Sequence, residues 1–180
     1  NLPYGPDQKW HTLDVYLPKK YKAPFPVIIN IHGGGWVYGT KEIYQYYGMG
    51  LAKRGFAFIN PNYRLAPENA EFPDELDDVD RYMHWVDEHA EEYRLDRNNV
   101  FIVGDSAGGQ MAEQYATILT NPDYAKLFPY KPLNLKFRAV GLNCAASFML
   151  TPSNLDGLAS TYFTKKAINK YHEQLNVEKY

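Results

Sequence analysis

Cysteine is almost missing. With Cys144 alone among 180 residues, no internal disulfide can staple the fold, and burial must hold it together. Charge of one sign is also lacking. Nineteen Lys and Arg stand against 21 Asp and Glu, leaving a net charge of −2 and a pI near 6.2, which argues against nucleic acid or an anionic membrane surface as a partner. No run of about 18 apolar residues is present to cross a bilayer. Metal-ligand spacing such as H-E-x-x-H is absent, and so are G-K-[ST] and G-x-G-x-x-G, so no metal or nucleotide cofactor is expected. The opening residues NLPYGPDQ lack the charged and apolar regions of a signal peptide. Together with the lone cysteine, this favours the cytoplasm without fixing it. The sequence opens on Asn1, not on Met, so upstream residues are expected to have been removed or omitted.

The composition is that of a folded domain. The chain is 45% hydrophobic and 16% aromatic, long enough to bury one core, and residues 1–180 read as a single domain without repeats. Leu13, Val15 and Leu17 alternate in TLDVYLP, 12–18, as in a half-exposed strand. PVIINI, 26–31, is a β-branched apolar run that suits an interior strand. Residues 41–55 have helical spacing and end at Gly55, and GFAFINPNYR supplies a further strand stopped by Pro61. In 73–90, Leu76, Val79, Met83, Val86 and Ala90 recur three or four apart, with Pro73 at the start and acids in the first turn. The strand VFIVG, 100–104, a small-residue helix from about 107 and the strand FRAVGLNCA, 137–145, complete the pattern. Strands separated by helical crossovers imply an α/β fold, a mostly parallel sheet with helices on both faces.

Two glycine-rich stretches carry the chemistry. Gly104 and Gly108 flank Ser106 in G-x-S-x-G between a strand and a helix, the context of a nucleophile elbow. Such a turn exposes the serine Oγ and aims the free N–H groups of a helix N-terminus at it. Taken alone the pattern fits an ordinary tight turn. The second stretch is His32-Gly33-Gly34-Gly35-Trp36, directly after PVIINI, an HGGG-type loop of the kind that supplies oxyanion-hole N–H groups. Three glycines let backbone approach a substrate oxygen without a Cβ in the way, at an entropic cost that a purely structural loop would avoid.

HGGGW, NYRLAPE at 62–68 and GDSAGG, in that order, resemble the hormone-sensitive-lipase-like family of α/β-hydrolases, bacterial carboxylesterases included. The likeness runs from TLDVYLP to the 137–145 strand. It implies an α/β-hydrolase fold and a serine carboxylesterase acting on small acyl esters, with Ser106 as nucleophile. The N–H groups of Gly34, Gly35 and Ala107 would form the oxyanion hole, with His32 and Gly33 shaping the loop. Asp105 either faces the pocket or braces that loop, and Arg64 is expected to pair with Glu68. Trp36 and Tyr38 are the candidates for lining a substrate pocket among the aromatics that include Tyr44, Tyr46 and Tyr47.

The resemblance also exposes a gap. A serine nucleophile needs a base and an orienting acid, in the order Ser, Asp or Glu, His. Only one convincing strand follows Ser106, so the sheet is expected to lack its last strands and helices. His172 reads as a solvated helix residue, Asp123 and Asp156 as turn residues, and His11, His84 and His89 precede the elbow. The triad Asp and His are therefore expected in a missing C-terminal segment or a second chain, which would be this chain's partner alongside the ester. The isolated chain is expected to be a poor enzyme. The alternative is a catalytically inactive α/β-hydrolase-like binding or interaction subunit, favoured if 146–180 formed an amphipathic docking helix.

Overall fold

A computed structural model describes residues 1–180. Six strands form one sheet: β1 (Leu2–Pro3), β2 (Thr12–Tyr16), β3 (Phe25–Ile31), β4 (Ala57–Pro61), β5 (Leu95–Asp105) and β6 (Phe137–Asn143). Their spatial order is β1-β2-β4-β3-β5-β6. Strand β2 pairs antiparallel with β1 on one side and with β4 on the other, while β4, β3, β5 and β6 are mutually parallel. The interior strands are the near-continuous apolar runs of the sequence. Every residue of β4 is buried, as are all but Pro26 in β3, which is how a parallel strand covered on both faces reads.

Helix α1 (Gln45–Ala52) follows a 3₁₀ turn at Lys41–Tyr44, and Gly55 lies beyond its end at φ 99°. Helix α2 (Asp74–Glu88) begins one residue after Pro73. Leu76, Val79, Met83 and Val86 have no exposed surface, and each contributes about 1.5–3 kcal/mol by leaving water. Helix α3 (Ala107–Thr120) begins directly after Ser106, and the single turn α4 (Pro122–Ala125) leads away from its end. The strand, helix and sheet-type expectations for 12–145 are met with small boundary shifts; the two-residue β1 carries too little sequence to be anticipated.

Residues 146–180 form short helical pieces, not one amphipathic helix: α5 (Ala159–Tyr162), α6 (Lys165–Lys170) and α7 (His172–Leu175). Tyr162, Phe163, Ala167 and Leu175 belong to the same core as the sheet. The tail is tied down by Gln114 and Tyr124, both donating to the Gln174 carbonyl, and by Asn121 donating to that of Tyr180. Val140 and Leu142 of the edge strand β6 stay about two-fifths exposed, and Tyr46 on α1 is 75% exposed. No helix is long and apolar enough to cross a membrane.

Candidate active site

Ser106 sits at the tip of the turn between β5 and α3 with φ 51° and ψ −115°, a conformation costly for any residue with a Cβ. Its surroundings enforce it. The Ser106 N–H donates to the Asn143 carbonyl at the end of β6 at 2.8 Å, and its carbonyl accepts from Gln110 and Ala146 N–H at 3.1 and 3.3 Å. A Cβ at Gly108 would lie 2.1 Å from the Ile31 carbonyl oxygen, so only glycine lets α3 close onto the end of β3. The Ser106 hydroxyl is half-buried and makes no hydrogen bond within the chain.

The HGGG loop lies beside this turn. Gly34 adopts φ 138°, and a Cβ there would fall 1.8 Å from the Tyr38 carbonyl oxygen. The Gly34 carbonyl accepts from the N–H groups of Val37 and Tyr38, both at 3.0 Å, whereas the N–H groups of Gly34, Gly35 and Ala107 have no acceptor in the chain. His32 is fully buried, stacks on Tyr63 with ring centroids 4.1 Å apart, and donates from Nδ1 to the Gly33 carbonyl at 2.8 Å. Burial pushes its pKa down to about 4, so the imidazole is neutral at physiological pH, and a Nδ1–H tautomer serves that bond. Its Nε2 is buried without a partner. Asp105 points toward this loop: its Oδ2 accepts from the Tyr44 hydroxyl at 2.9 Å, and that hydroxyl accepts from the Gly33 N–H at 3.4 Å.

The two aromatic candidates part company. Trp36 is only 4% exposed. It donates from Nε1 to Gln110 Oε1 at 3.3 Å, stacks on Tyr162 and meets Phe163 edge-on at 5.0 Å, so it joins the loop to α3 and the tail. Tyr38 is 60% exposed. Leu158, which the sequence did not single out, also lies against the loop: a Cβ on Gly35 would be 2.9 Å from its Cδ1.

No histidine reaches Ser106 by a hydrogen bond. His11 is paired with Asp78 at 3.0 Å, His84 lies 3.7 Å from Asp80, His89 stacks on Trp85 and His172 is exposed on α7. Arg64, expected opposite Glu68, instead grips Asp78 through Nε at 2.9 Å and Nη2 at 2.8 Å. Glu68 is exposed, because Pro67 breaks the loop while α2 carries Asp78 over the guanidinium. No group of three or more His, Cys, Asp or Glu side chains is arranged to hold a metal ion.

An α/β-hydrolase sheet with this serine turn and glycine loop defines the class. The profile of the BD-FAE family matches residues 13–166, and the chain belongs to that family of α/β-hydrolases. It is similar to esterase LipC of Mycobacterium tuberculosis, 31% identical over 70% of this chain and 31% of LipC. It is also similar to carboxylesterase NlhH of the same organism, 33% identical over 58% of this chain and 33% of NlhH. The crystal structure of esterase B from Lactobacillus rhamnosis superposes with a TM-score of 0.84 at 29% identity, over 97% of this chain and 57% of that one. The chain thus spans from about three-tenths to under three-fifths of these relatives' lengths.

Proposed function

We propose that this chain carries the nucleophile and the oxyanion hole of a serine carboxylesterase for small acyl esters. The observation that carries the reading is Ser106 held at φ 51° on a strand-to-helix turn beside a loop with two unpaired glycine N–H groups. In the mechanism, Ser106 Oγ attacks the ester carbonyl while a histidine takes its proton. The oxygen that becomes negative is met by the N–H groups of Gly34, Gly35 and Ala107, each worth about 3 kcal/mol of transition-state stabilisation. The alcohol leaves with the proton, and water then releases the acid from the acyl-serine. The base and its orienting acid come from polypeptide beyond residue 180 or from a second chain. Lacking them, the isolated 180 residues retain only the acceleration of about 10³ to 10⁴ that oxyanion binding supplies.

The relatives support the acyl-transfer class: esterase B has been crystallised inhibited by a tributyrin phosphonate, whose tetrahedral phosphorus imitates the intermediate of ester hydrolysis. Tyr38 and Trp36 are the proposed substrate-side aromatics, Tyr38 through its exposed ring and Trp36 by shaping the loop wall. The test is fluorophosphonate labelling and p-nitrophenyl acetate hydrolysis by the full-length enzyme, with Ser106→Ala as control. Labelling and turnover that vanish in Ser106→Ala are expected; a folded protein that shows neither is instead a binding or interaction subunit.

A further inference from the structure

The oxyanion loop is a run of three peptide planes, and the hydrogen bonds reveal what aims each one. In a trans peptide the C=O and the following N–H point in opposite directions, so holding one end of a plane aims the other. The plane between Gly33 and Gly34 is held at its carbonyl by His32 Nδ1, 2.8 Å away, which leaves the Gly34 N–H facing the other way. The plane between Gly34 and Gly35 is held at its carbonyl by Val37 and Tyr38 N–H, which leaves the Gly35 N–H free in the same manner. The plane before them, between His32 and Gly33, is pinned at both ends. Its carbonyl accepts from the Tyr63 hydroxyl at 2.6 Å, and its N–H donates to the Tyr44 hydroxyl at 3.4 Å.

Tyr44 stands apart from the other ties because of where it leads. The same hydroxyl donates to Asp105 Oδ2 at 2.9 Å, and Asp105 is the residue before Ser106. A hydrogen bond to a carboxylate is stronger than one between neutral groups. Burial, offset in part by the Gly33 N–H and reinforced by Asp105, raises the pKa of Tyr44, so the hydroxyl keeps its proton and remains a donor. The contact is close on every side: a Cβ on Gly33 would stand 2.8 Å from the Asp105 carbonyl oxygen and 2.9 Å from Oδ2.

We propose that Tyr44 is a positioning residue for ester hydrolysis: anchored on Asp105, its hydroxyl holds the Gly33 N–H and thereby sets the Gly34 and Gly35 N–H groups against Ser106. The inference rests on the serine-esterase reading above. Tyr44 touches no reacting atom. Its role is to tie the donors of the oxyanion hole to the turn that presents the nucleophile, so that the two move as one body.

Tyr44→Phe deletes the hydroxyl and keeps the ring. In the full-length enzyme, kcat for p-nitrophenyl acetate is expected to fall about tenfold, less than the 10²- to 10³-fold loss on deleting a donor itself. KM should stay within about twofold, because the uncharged ground-state ester gains little from these N–H groups. The rate of fluorophosphonate labelling at Ser106 should drop in parallel. Asp105→Ala should show the same split, and the double variant should lose no more than the worse single, since the two groups act through one bond. A Tyr44→Phe enzyme with unchanged kcat, or with a loss confined to KM and melting temperature, overturns the proposal. Should Tyr44→Phe not fold, an Asp105→Ala enzyme with unchanged kcat overturns it equally. Those failures leave Ser106→Ala inactive; if Ser106→Ala itself hydrolyses ester at the unsubstituted rate, the esterase reading falls and this proposal with it.

Discussion

Glu75 and Asp78 lie one turn apart on α2, and neither has any exposed surface; their surroundings make them opposites. The Asp78 carboxylate accepts from His11 Nε2, from the Arg64 backbone N–H and from two guanidinium nitrogens. Burial drives its pKa up, but these donors outweigh burial and hold it below the ordinary aspartate value. Both oxygens of Glu75 lack a partner, and the neighbouring Ala66 N–H is committed to the Trp36 carbonyl at 2.9 Å. Burial, followed by the charge of Asp78, raises its pKa well above the usual value, so the folded chain favours the neutral acid over the carboxylate there. Burial sets the cost of a charge, and the donors within reach decide whether the charge survives.

The largest effect expected from this contrast is at Asp78. Asp78→Asn removes the charge that Arg64 and His11 share, and chemical denaturation should show a loss of about 3 kcal/mol. A loss under about 1 kcal/mol would mean that water satisfies the donors. Because the folded pKa of Asp78 is depressed, its contribution is present above the unfolded value of 3.8 and disappears as pH falls below it.

Glu75 has the opposite sign. Its folded pKa is raised above the unfolded 4.5, so stability is greatest below that pH and declines as pH rises toward the folded value. Glu75→Gln abolishes this slope, so it should stabilise the protein more as pH rises above the unfolded 4.5, with little gain near that pH. Melting temperatures across that range give the answer; an equal shift at both ends would mean that Glu75 is ionised in the native state. A smaller effect is expected from Tyr162→Phe, which deletes the hydroxyl accepting the Glu75 N–H at 3.2 Å and should cost about 1 kcal/mol. Smallest is Glu68→Ala, since Glu68 is exposed and in no ion pair, and its stability change should stay within about 0.5 kcal/mol. A larger loss would restore the Arg64–Glu68 pairing that the family resemblance suggested.

Most of the sheet was legible in the sequence because its interior strands are unbroken apolar runs and its helices repeat every three or four residues. The two site loops were legible for the same reason that glycine stands out anywhere: Gly34 and Gly108 occupy places where a Cβ would overlap a carbonyl oxygen, and local composition records that demand. Tyr44 was not legible as a brace. It is one aromatic among several after the loop, and nothing in its spacing from Asp105, 61 residues away, signals a hydrogen bond. Trp36 reads as pocket lining from the sequence alone, yet its burial depends on Tyr162 and Phe163, far along the chain.

What the sequence determined by itself is therefore the short-range part: which segments are strands or helices, and where the backbone must turn without side chains. The tertiary structure decided the partners, namely that Arg64 meets Asp78 and not Glu68, that Glu75 meets no donor, and that Asp105 reaches the HGGG loop through Tyr44. Periodicity and backbone sterics act over a few residues and leave their mark locally. The state of a buried polar group depends on the donors that the packed core brings beside it, and those come from anywhere along the chain.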